Sequence, residues 1–228
     1  MNSFRTEAII AGILFLAAMI SSLLGGGILE SIIKAPDYLT VISVNTNTVF
    51  IGTSLEFING IAVIGIAVTL FPILKQFNVS IALGYVGFRI IESIFCIVSA
   101  AIPISLIKLS REYINAENST SPYFHTFSSF LIEIRTDLTE LLIPVFFSLG
   151  ALLFYYILYK SKLIPRVISI WGFIGVTLIL ILIFFKDGMV VNMIFVLPII
   201  LNEIFLGIWL IAKGFTQPAL ILDSGKQI

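Results

Sequence analysis

The sequence has very few of the residues that soluble enzymes use for metal binding and nucleophilic catalysis. It contains one histidine, His125, and one cysteine, Cys96. A Cys/His metal site needs several such ligands and a disulfide needs two cysteines, so this chain can build neither within itself. The formal net charge is zero and no basic stripe follows the chain, which excludes nucleic acid as a partner. We expect no metal and no cofactor.

Charged residues are also scarce, and apolar residues take their place. Only 11% of the chain is charged and 59% is hydrophobic, whereas a soluble domain is about 25% charged and about 45–50% apolar. The mean hydropathy of +1.12 agrees with this composition. A water-soluble protein of this size has no means of covering so much apolar surface, so the composition indicates an integral membrane protein whose first partner is the lipid bilayer.

Long apolar runs separated by short polar clusters predict an all-α, polytopic helix bundle with six transmembrane helices. Lipid offers no partner for backbone polar groups, and runs of this length without alternating polarity exclude a β-barrel. The first run is long enough to cross ~30 Å of hydrocarbon, so we expect a retained helix and not a removed signal peptide. The predicted spans are residues 7–29, 48–74, 81–107, 127–159, 167–185 and 190–212. We expect one transmembrane domain, 1–215, and a short cytoplasmic tail, 216–228.

Basic residues predict the orientation of these spans, because cytoplasmic loops carry more lysine and arginine. The side that holds both termini has seven basic residues and the other side has four. The seven are Arg5, Lys75, Lys160, Lys162, Arg166, Lys213 and Lys226; the four are Lys34, Lys108, Arg111 and Lys186. We therefore expect both termini in the cytoplasm and the protein in the cell (plasma or inner) membrane of a bacterium.

Four charged residues fall inside the predicted spans, where each costs at least ~2.5–3.5 kcal/mol to insert. They are Glu56 in the second span, Arg89 and Glu92 in the third, and Glu203 in the sixth. From the direction of each span, all four lie within ~10–15 Å of one another in depth. A shared polar cluster at mid-membrane depth is the least costly way to hold them.

Two asparagines extend this predicted cluster, since Asn59 lies one helical turn from Glu56 and Asn202 adjoins Glu203. Three carboxyl groups face one guanidinium, so full ionisation would leave a net negative site. Burial and like charges favour protonated carboxyl groups, and we expect at least one to be protonated in the empty site. The cluster therefore indicates either a ligand site for a cation, an amine or a proton, or a purely architectural clip in which Arg89 pairs with Glu203 or Glu56.

A second acidic group lies at the start of the fourth span, where Glu133, Asp137 and Glu140 form one stripe on a helix. Two interpretations are open. The stripe is either a solvated face that pairs with Arg135 or with loop cations, or an acidic vestibule that leads to the mid-membrane cluster.

Three stretches of the sequence resemble the bacterial multipass membrane family catalogued as domain of unknown function 4386. They are Phe88–Glu92 with its Arg-x-x-Glu pattern, Gly150–Arg166, and Leu197–Gly214. The similarity covers roughly residues 7–215. The Leu-Gly pair that usually follows the family's Pro-Arg turn is replaced here by Val167-Ile168-Ser169.

The resemblance implies a membrane protein of six or seven helices and supplies no activity. It does place five residues on family motif positions: Arg89, Glu92, Pro165, Arg166 and Glu203. Three of these five are among the intramembrane charges.

Three functions fit these observations. The first is binding or transport of a small or lipid-like ligand, cationic or proton-linked, at the mid-membrane cluster. The second is an intramembrane enzyme acting on a lipid or isoprenoid-like substrate, with Glu92 and Glu203 as acid and base and Arg89 holding a head group. The third is an accessory protein whose charges are helix clips. The absence of a recognisable nucleophile motif or metal set favours a non-enzymatic role.

Overall fold

The fold is entirely helical over the residues described by the computed structural model, which are 3–116, 122–184 and 189–216. Within these ranges there is no strand. The helices are α1 (Ser3–Ile33), α2 (Tyr38–Val44), α3 (Thr46–Leu74), α4 (Val79–Asn115), α5 (Pro122–Asp137), α6 (Ile143–Ser161), α7 (Arg166–Phe184) and α8 (Met189–Ala212). A single π-helical turn, Leu138–Leu142, joins α5 to α6.

Six helical segments are long and apolar enough to cross a membrane, which confirms the predicted fold class. They are Phe4–Ile33, Thr46–Leu74, Val79–Asn115, Pro122–Ser161, Arg166–Phe184 and Met193–Ala212. Each corresponds to one predicted span, and α5, the π turn and α6 together form the fourth. The protein is a multipass membrane helix bundle. Most of the predicted tail, residues 217–228, lies outside the described residues.

The structure adds one short helix, α2, in the predicted first loop, and extends α1, α4 and the start of the fourth span beyond the predicted ends. Ser110, in the extension of α4, donates a hydrogen bond to the Leu39 carbonyl of α2. Ser128, inside the predicted fourth span, has its hydroxyl 2.7 Å from the Tyr38 hydroxyl of α2. Hydropathy alone does not detect the extension of α4, since it leaves the apolar run.

The π turn lies directly before Pro144, where the sequence has a proline inside a helix. Proline lacks an N–H, and its ring clashes with the carbonyl four residues earlier, here that of Glu140. The turn widens at this point, and the Ile143 N–H donates to the Leu138 carbonyl five residues back. Single π turns inside α-helices are frequent at functional sites.

The described chain divides into two compact units. Unit 1 consists of residues 1–16, 62–91 and 144–228, and unit 2 consists of residues 17–61 and 92–143. Helices α1, α3 and α4 and the fourth span contribute residues to both. The prediction of a single domain for residues 1–215 stays a prediction.

Each unit has its own packed interior. In unit 2 a cluster of aliphatic side chains from α1, α2, α3 and α4, with Leu138 from the π turn, is buried around Leu29 and Leu106. In unit 1 the ring of Phe154 stacks on Tyr85 at 5.3 Å and on Phe15 at 6.0 Å between centroids. Both clusters consist of aliphatic or aromatic side chains, so the buried polar groups described below are local exceptions.

In unit 1 the backbones of α1 and α8 meet at Gly12 and Gly207. A Cβ atom on Gly12 would lie 2.6 Å from the Gly207 carbonyl oxygen, which is closer than such atoms approach. Small residues allow this kind of close approach between membrane helices. The contact depends on the missing side chain.

We predict that Gly12→Ala lowers the free energy of unfolding by about 1–3 kcal/mol, because α1 and α8 must separate to admit the methyl group. The matched control is Gly87→Ala, since a Cβ there has no neighbour within 4 Å. Alanine favours a helix over glycine by up to ~1 kcal/mol, so the control should be neutral or stabilising. Thermal unfolding in detergent measures both variants, and equal midpoints for the two would contradict the close contact.

Candidate functional site

The strongest polar contact in unit 2 joins Glu56 of α3 to Arg135 of α5. The Arg135 Nη1 donates to Glu56 Oε2 at 2.9 Å, and Nη2 donates to Oε1 at 2.5 Å. Nη1 also donates to the Ser99 carbonyl at 2.9 Å and contacts the Ser99 hydroxyl at 3.0 Å. The Arg135 side chain is only 3% exposed. This is a bidentate, charge-assisted pair, the strong geometry for arginine and carboxylate.

Arg135 corrects the sequence interpretation that placed it among solvated charges beside the acidic stripe. At about 100° per residue, Arg135 lies on the face of α5 opposite Glu133 and Asp137. It shares the buried face with Ser128 and Leu138, at helical spacings of seven and three residues. The helical spacing of these residues indicates that Arg135 is on a buried face. The sequence interpretation instead followed the nearby acidic residues, which favour a solvated face.

Glu56 and Arg135 line a polar cleft of about 380 Å³ within unit 2. One wall is a single face of the α1 segment, formed by Ser22, Gly26, Glu30 and Lys34. These four recur at every fourth residue, so they form a stripe ~18 Å long. The volume falls within the range of small-molecule sites, roughly 300–1,000 Å³.

The other walls of the cleft come from α3, α4 and the fourth span. Besides the ion pair, they present Asn59, Cys96, Ser99, Thr139, Glu140 and Ile143. Thr139 and Glu140 belong to the π turn. In total the lining carries three carboxyl groups (Glu30, Glu56 and Glu140) and two cationic groups (Lys34 and Arg135). The cleft is therefore polar and, with all groups ionised, carries a net charge of minus one.

Glu30 and Lys34 mark the accessible end of the cleft. Their side chains are 43% and 72% exposed and form an ion pair one helical turn apart. The hydrogen bond to Glu30 raises the pKa of Lys34 above its ordinary value, helped by the charges of Glu30 and Glu140 and opposed by partial burial. A raised lysine pKa stabilises the fold at pH values below the ordinary pKa and loses this effect as the pH rises through the folded pKa. The pair is exposed, so its effect on stability is small.

The three residues of the acidic stripe do not share one environment. Glu140 lines the cleft, whereas Glu133 and Asp137 are exposed and do not line it. Asn59 also lines the cleft, with its amide nitrogen 3.8 Å from the Cys96 sulfur. Glu56 and Asn59, which the sequence analysis assigned to the intramembrane cluster, and the stripe residue Glu140 thus line one cleft.

The remaining predicted site residues of the third and sixth spans lie mainly in unit 1. Arg89 is 3% exposed, and its guanidinium lies 5.8 Å from the Tyr85 ring centre and 5.3 Å from that of Phe147. Arg89 thus lies in an aromatic setting that favours a cation.

Asn202 is fully buried and joins three helices of unit 1. Its amide nitrogen donates to the Ile168 carbonyl at 2.9 Å, and its amide oxygen accepts from the Tyr155 hydroxyl at 2.6 Å. These bonds connect α8 to α7 and α6. The predicted part of Asn202 in a ligand site stays a prediction.

The predicted site is distributed over the two units. Glu56, Asn59 and Glu92 belong to unit 2, and Arg89, Asn202 and Glu203 belong to unit 1. Glu92 is 4% exposed and lies one helical turn after Arg89 on α4. Its part in a ligand site, and that of Arg89 and Glu203, stays a prediction. Among the described residues, no three His, Cys, Asp or Glu side chains are grouped so as to hold a metal ion.

Comparison with known protein families places the whole bundle in one family. A family profile described as Domain of unknown function (DUF4386) matches residues 10–214. The chain belongs to this family. The match includes all of the second to sixth spans, the first span from residue 10 onward, and every residue of the polar cleft. No curated protein and no solved structure matches the chain. Membership therefore confirms the family resemblance and leaves the activity to be argued from the cleft.

We predict that Arg135→Met alone lowers the free energy of unfolding by about 3–5 kcal/mol, because Glu56 then keeps a buried charge without its cation. Adding Glu56→Met should recover most of that loss, since the two apolar side chains need no partners. Unfolding of the single and double variants measures the coupling directly.

Glu133→Gln is the control for this cycle, because Glu133 is an exposed charge on the same helix. It should leave stability within about 0.5 kcal/mol. Additive effects of the Arg135 and Glu56 substitutions would show that the pair does not exist in the folded protein.

Proposed function

We propose that the chain binds a small, polar, amine-bearing ligand in the cleft of unit 2. The observation that carries this proposal is a polar lining with more carboxyl groups than cations, inside a chain that otherwise faces lipid. Polar groups within membrane spans are costly and usually mark a substrate or ion pathway. A positively charged ligand is the complement of a net negative lining.

One further feature supports a ligand. Glu140 and Thr139 are presented by the π turn, a type of local widening that recurs at functional sites. The ligand class is therefore a small amine.

For the orientation, we propose that both termini are cytoplasmic and that the protein lies in the plasma or inner membrane, as the distribution of basic residues predicts. The exposed end of the cleft, at Glu30 and Lys34, then opens to the outside of the cell. A proton-linked cycle and transport across the membrane are extensions of the same proposal.

One observation favours the accessory function as the second candidate. The Glu56–Arg135 pair has bidentate geometry and further bonds to Ser99, as a helix clip requires. A clip that fixes α3, α4 and α5 would serve a protein that binds other membrane proteins. The enzyme alternative rests on Glu92, Glu203 and Arg89 and stays a prediction.

We predict that small primary amines raise the thermal unfolding midpoint of the purified protein and that Gly26→Leu abolishes this effect. A side chain at Gly26 meets nothing within 4 Å at its Cβ, so leucine enters the cleft without disturbing the helix. A ligand at 100 times its Kd stabilises by about 2.7 kcal/mol, which gives a readily measured shift.

Gly27→Leu is the matched control, since its Cβ is equally free and Gly27 does not line the cleft. It should keep the full response to amines, while small carboxylates of similar size should give no shift with any variant. An amine response that survives Gly26→Leu, or a panel of amines without effect on the native chain, would overturn the binding proposal in favour of the clip.

A further inference from the structure

A narrow apolar groove of about 320 Å³ lies between α6 and α7 in unit 1. Its lining includes Tyr156, Tyr159 and Lys160 from α6 and Ser169, Phe173 and Ile174 from α7. No acidic side chain lines it. Both helices are membrane-spanning segments, so the material that reaches this groove is lipid.

The groove has a cationic end. The Lys160 ammonium lies 6.0 Å from the Tyr156 ring centre, and the Arg166 guanidinium lies 5.0 Å from the Tyr159 ring centre. Both rings line the groove, and so does Lys160, whereas Arg166 lies beside it on the Tyr159 ring at the first residue of α7. Tyrosines and basic residues at a helix end are typical of the headgroup region.

Away from that end the groove becomes apolar. Along α7 its lining runs from Ser169 to Ile174, a distance of ~7.5 Å. Phe173 and Ile174 are exposed there. The groove therefore combines a cation at one end with an apolar part that faces lipid.

A buried hydroxyl lies between the two ends. Ser169 is 1% exposed, lines the groove, and its Oγ has no hydrogen-bond partner among the described residues. Other hydroxyls of this chain bond back to the carbonyl four residues earlier, as Thr177 does to Phe173. Ser169 lies one helical turn deeper than Arg166, ~4.5 Å along the axis. An ester carbonyl beneath a phosphate lies at a matching depth.

We propose that this groove binds one anionic phospholipid, with an acyl chain between α6 and α7, an ester carbonyl at Ser169 and the phosphate at Lys160 and Arg166. Lys160 in the lining and Arg166 beside it, with no carboxylate in the lining, select a negative head group over a zwitterionic one. Basic pockets between membrane helices bind anionic lipid head groups in this way. The site is separate from the cleft, which belongs to unit 2, and does not depend on what the cleft binds.

Native mass spectrometry of the full chain tests the proposal, using an equimolar mixture of phosphatidylglycerol and phosphatidylcholine with identical acyl chains. The native chain should retain phosphatidylglycerol in preference, by about tenfold. Lys160→Gln combined with Arg166→Gln should reduce the preference to near parity. Added inorganic phosphate should not displace the lipid, because the acyl chain contributes to binding.

Lys75→Gln is the matched control, because Lys75 also lies over an aromatic ring, 5.6 Å from Phe71, yet does not line the groove. It should keep the preference. Ile174→Trp, which fills the apolar end, should lower retention of both lipids while leaving their ratio closer to that of the native chain. Circular dichroism checks that each variant remains helical.

Equal retention of the two lipids by the native chain would overturn the proposal. So would a loss of preference in Lys75→Gln as large as in the double variant, because the selectivity would then come from overall charge. Unchanged retention in Ile174→Trp would show that the acyl chain lies elsewhere.

Discussion

A guanidinium buried among apolar helices must find its hydrogen-bond acceptors inside the protein, because the surrounding lipid has none. In this chain the requirement is met by the Glu56 carboxylate and the Ser99 carbonyl and hydroxyl, which hold Arg135 from α3 and α4. The three helices are thereby fixed relative to one another within unit 2. Removing one partner leaves a buried charge without its counter-ion. This lowers the free energy of unfolding far more than replacing both residues with apolar side chains.

The ion pair also accounts for the polar cleft beside it. Once a charged pair is buried, its remaining donors and lone pairs favour further polar neighbours, and Asn59, Thr139 and the α1 stripe supply them. The π turn before Pro144 widens the fourth span at the same place. A proline effect on the backbone and a charge effect on the side chains therefore act together to shape one site.

In unit 1 the buried polar groups contact one another, backbone carbonyls or aromatic rings. Asn202 and Tyr155 are satisfied by one another and by the Ile168 carbonyl, and Arg89 lies against aromatic rings. These contacts are short-range and hold α6, α7 and α8 together. The two units thus share a chemistry of buried polar residues, and in unit 2 those residues surround a cleft wide enough for a small molecule.

The six spans were predictable because hydropathy is a property of whole segments, and a run such as that of α7 has no alternative to a membrane helix. Glu56 and Asn59 of α3 were also selected from the sequence, because a charge inside an apolar run is conspicuous and Asn59 lies one helical turn from it, and both line the cleft. Arg135 was not, because it lies before the uninterrupted apolar run and among acidic neighbours that suggested a solvated face. Only helical phase distinguishes its buried position from theirs.

The wall of the cleft that the α1 segment forms was not predicted from the sequence, for a related reason. Ser22, Gly26, Glu30 and Lys34 are individually unremarkable at a helix end, and only their spacing of four residues reveals a continuous face. Helix α2 and the pairing of α6 with α7 depend on tertiary contacts between distant parts of the chain. Single-sequence patterns carry no information about such contacts.

The distance between the Arg135 guanidinium and the Glu56 carboxylate tests the central claim most directly. Solid-state nuclear magnetic resonance on the protein in lipid, with labelled arginine side-chain nitrogen and glutamate carboxyl carbon, measures it through their dipolar coupling. A strong coupling that disappears in Glu56→Gln is the expected result. An unchanged spectrum in Glu56→Gln would mean that Arg135 has another partner and that the cleft is not built around this pair.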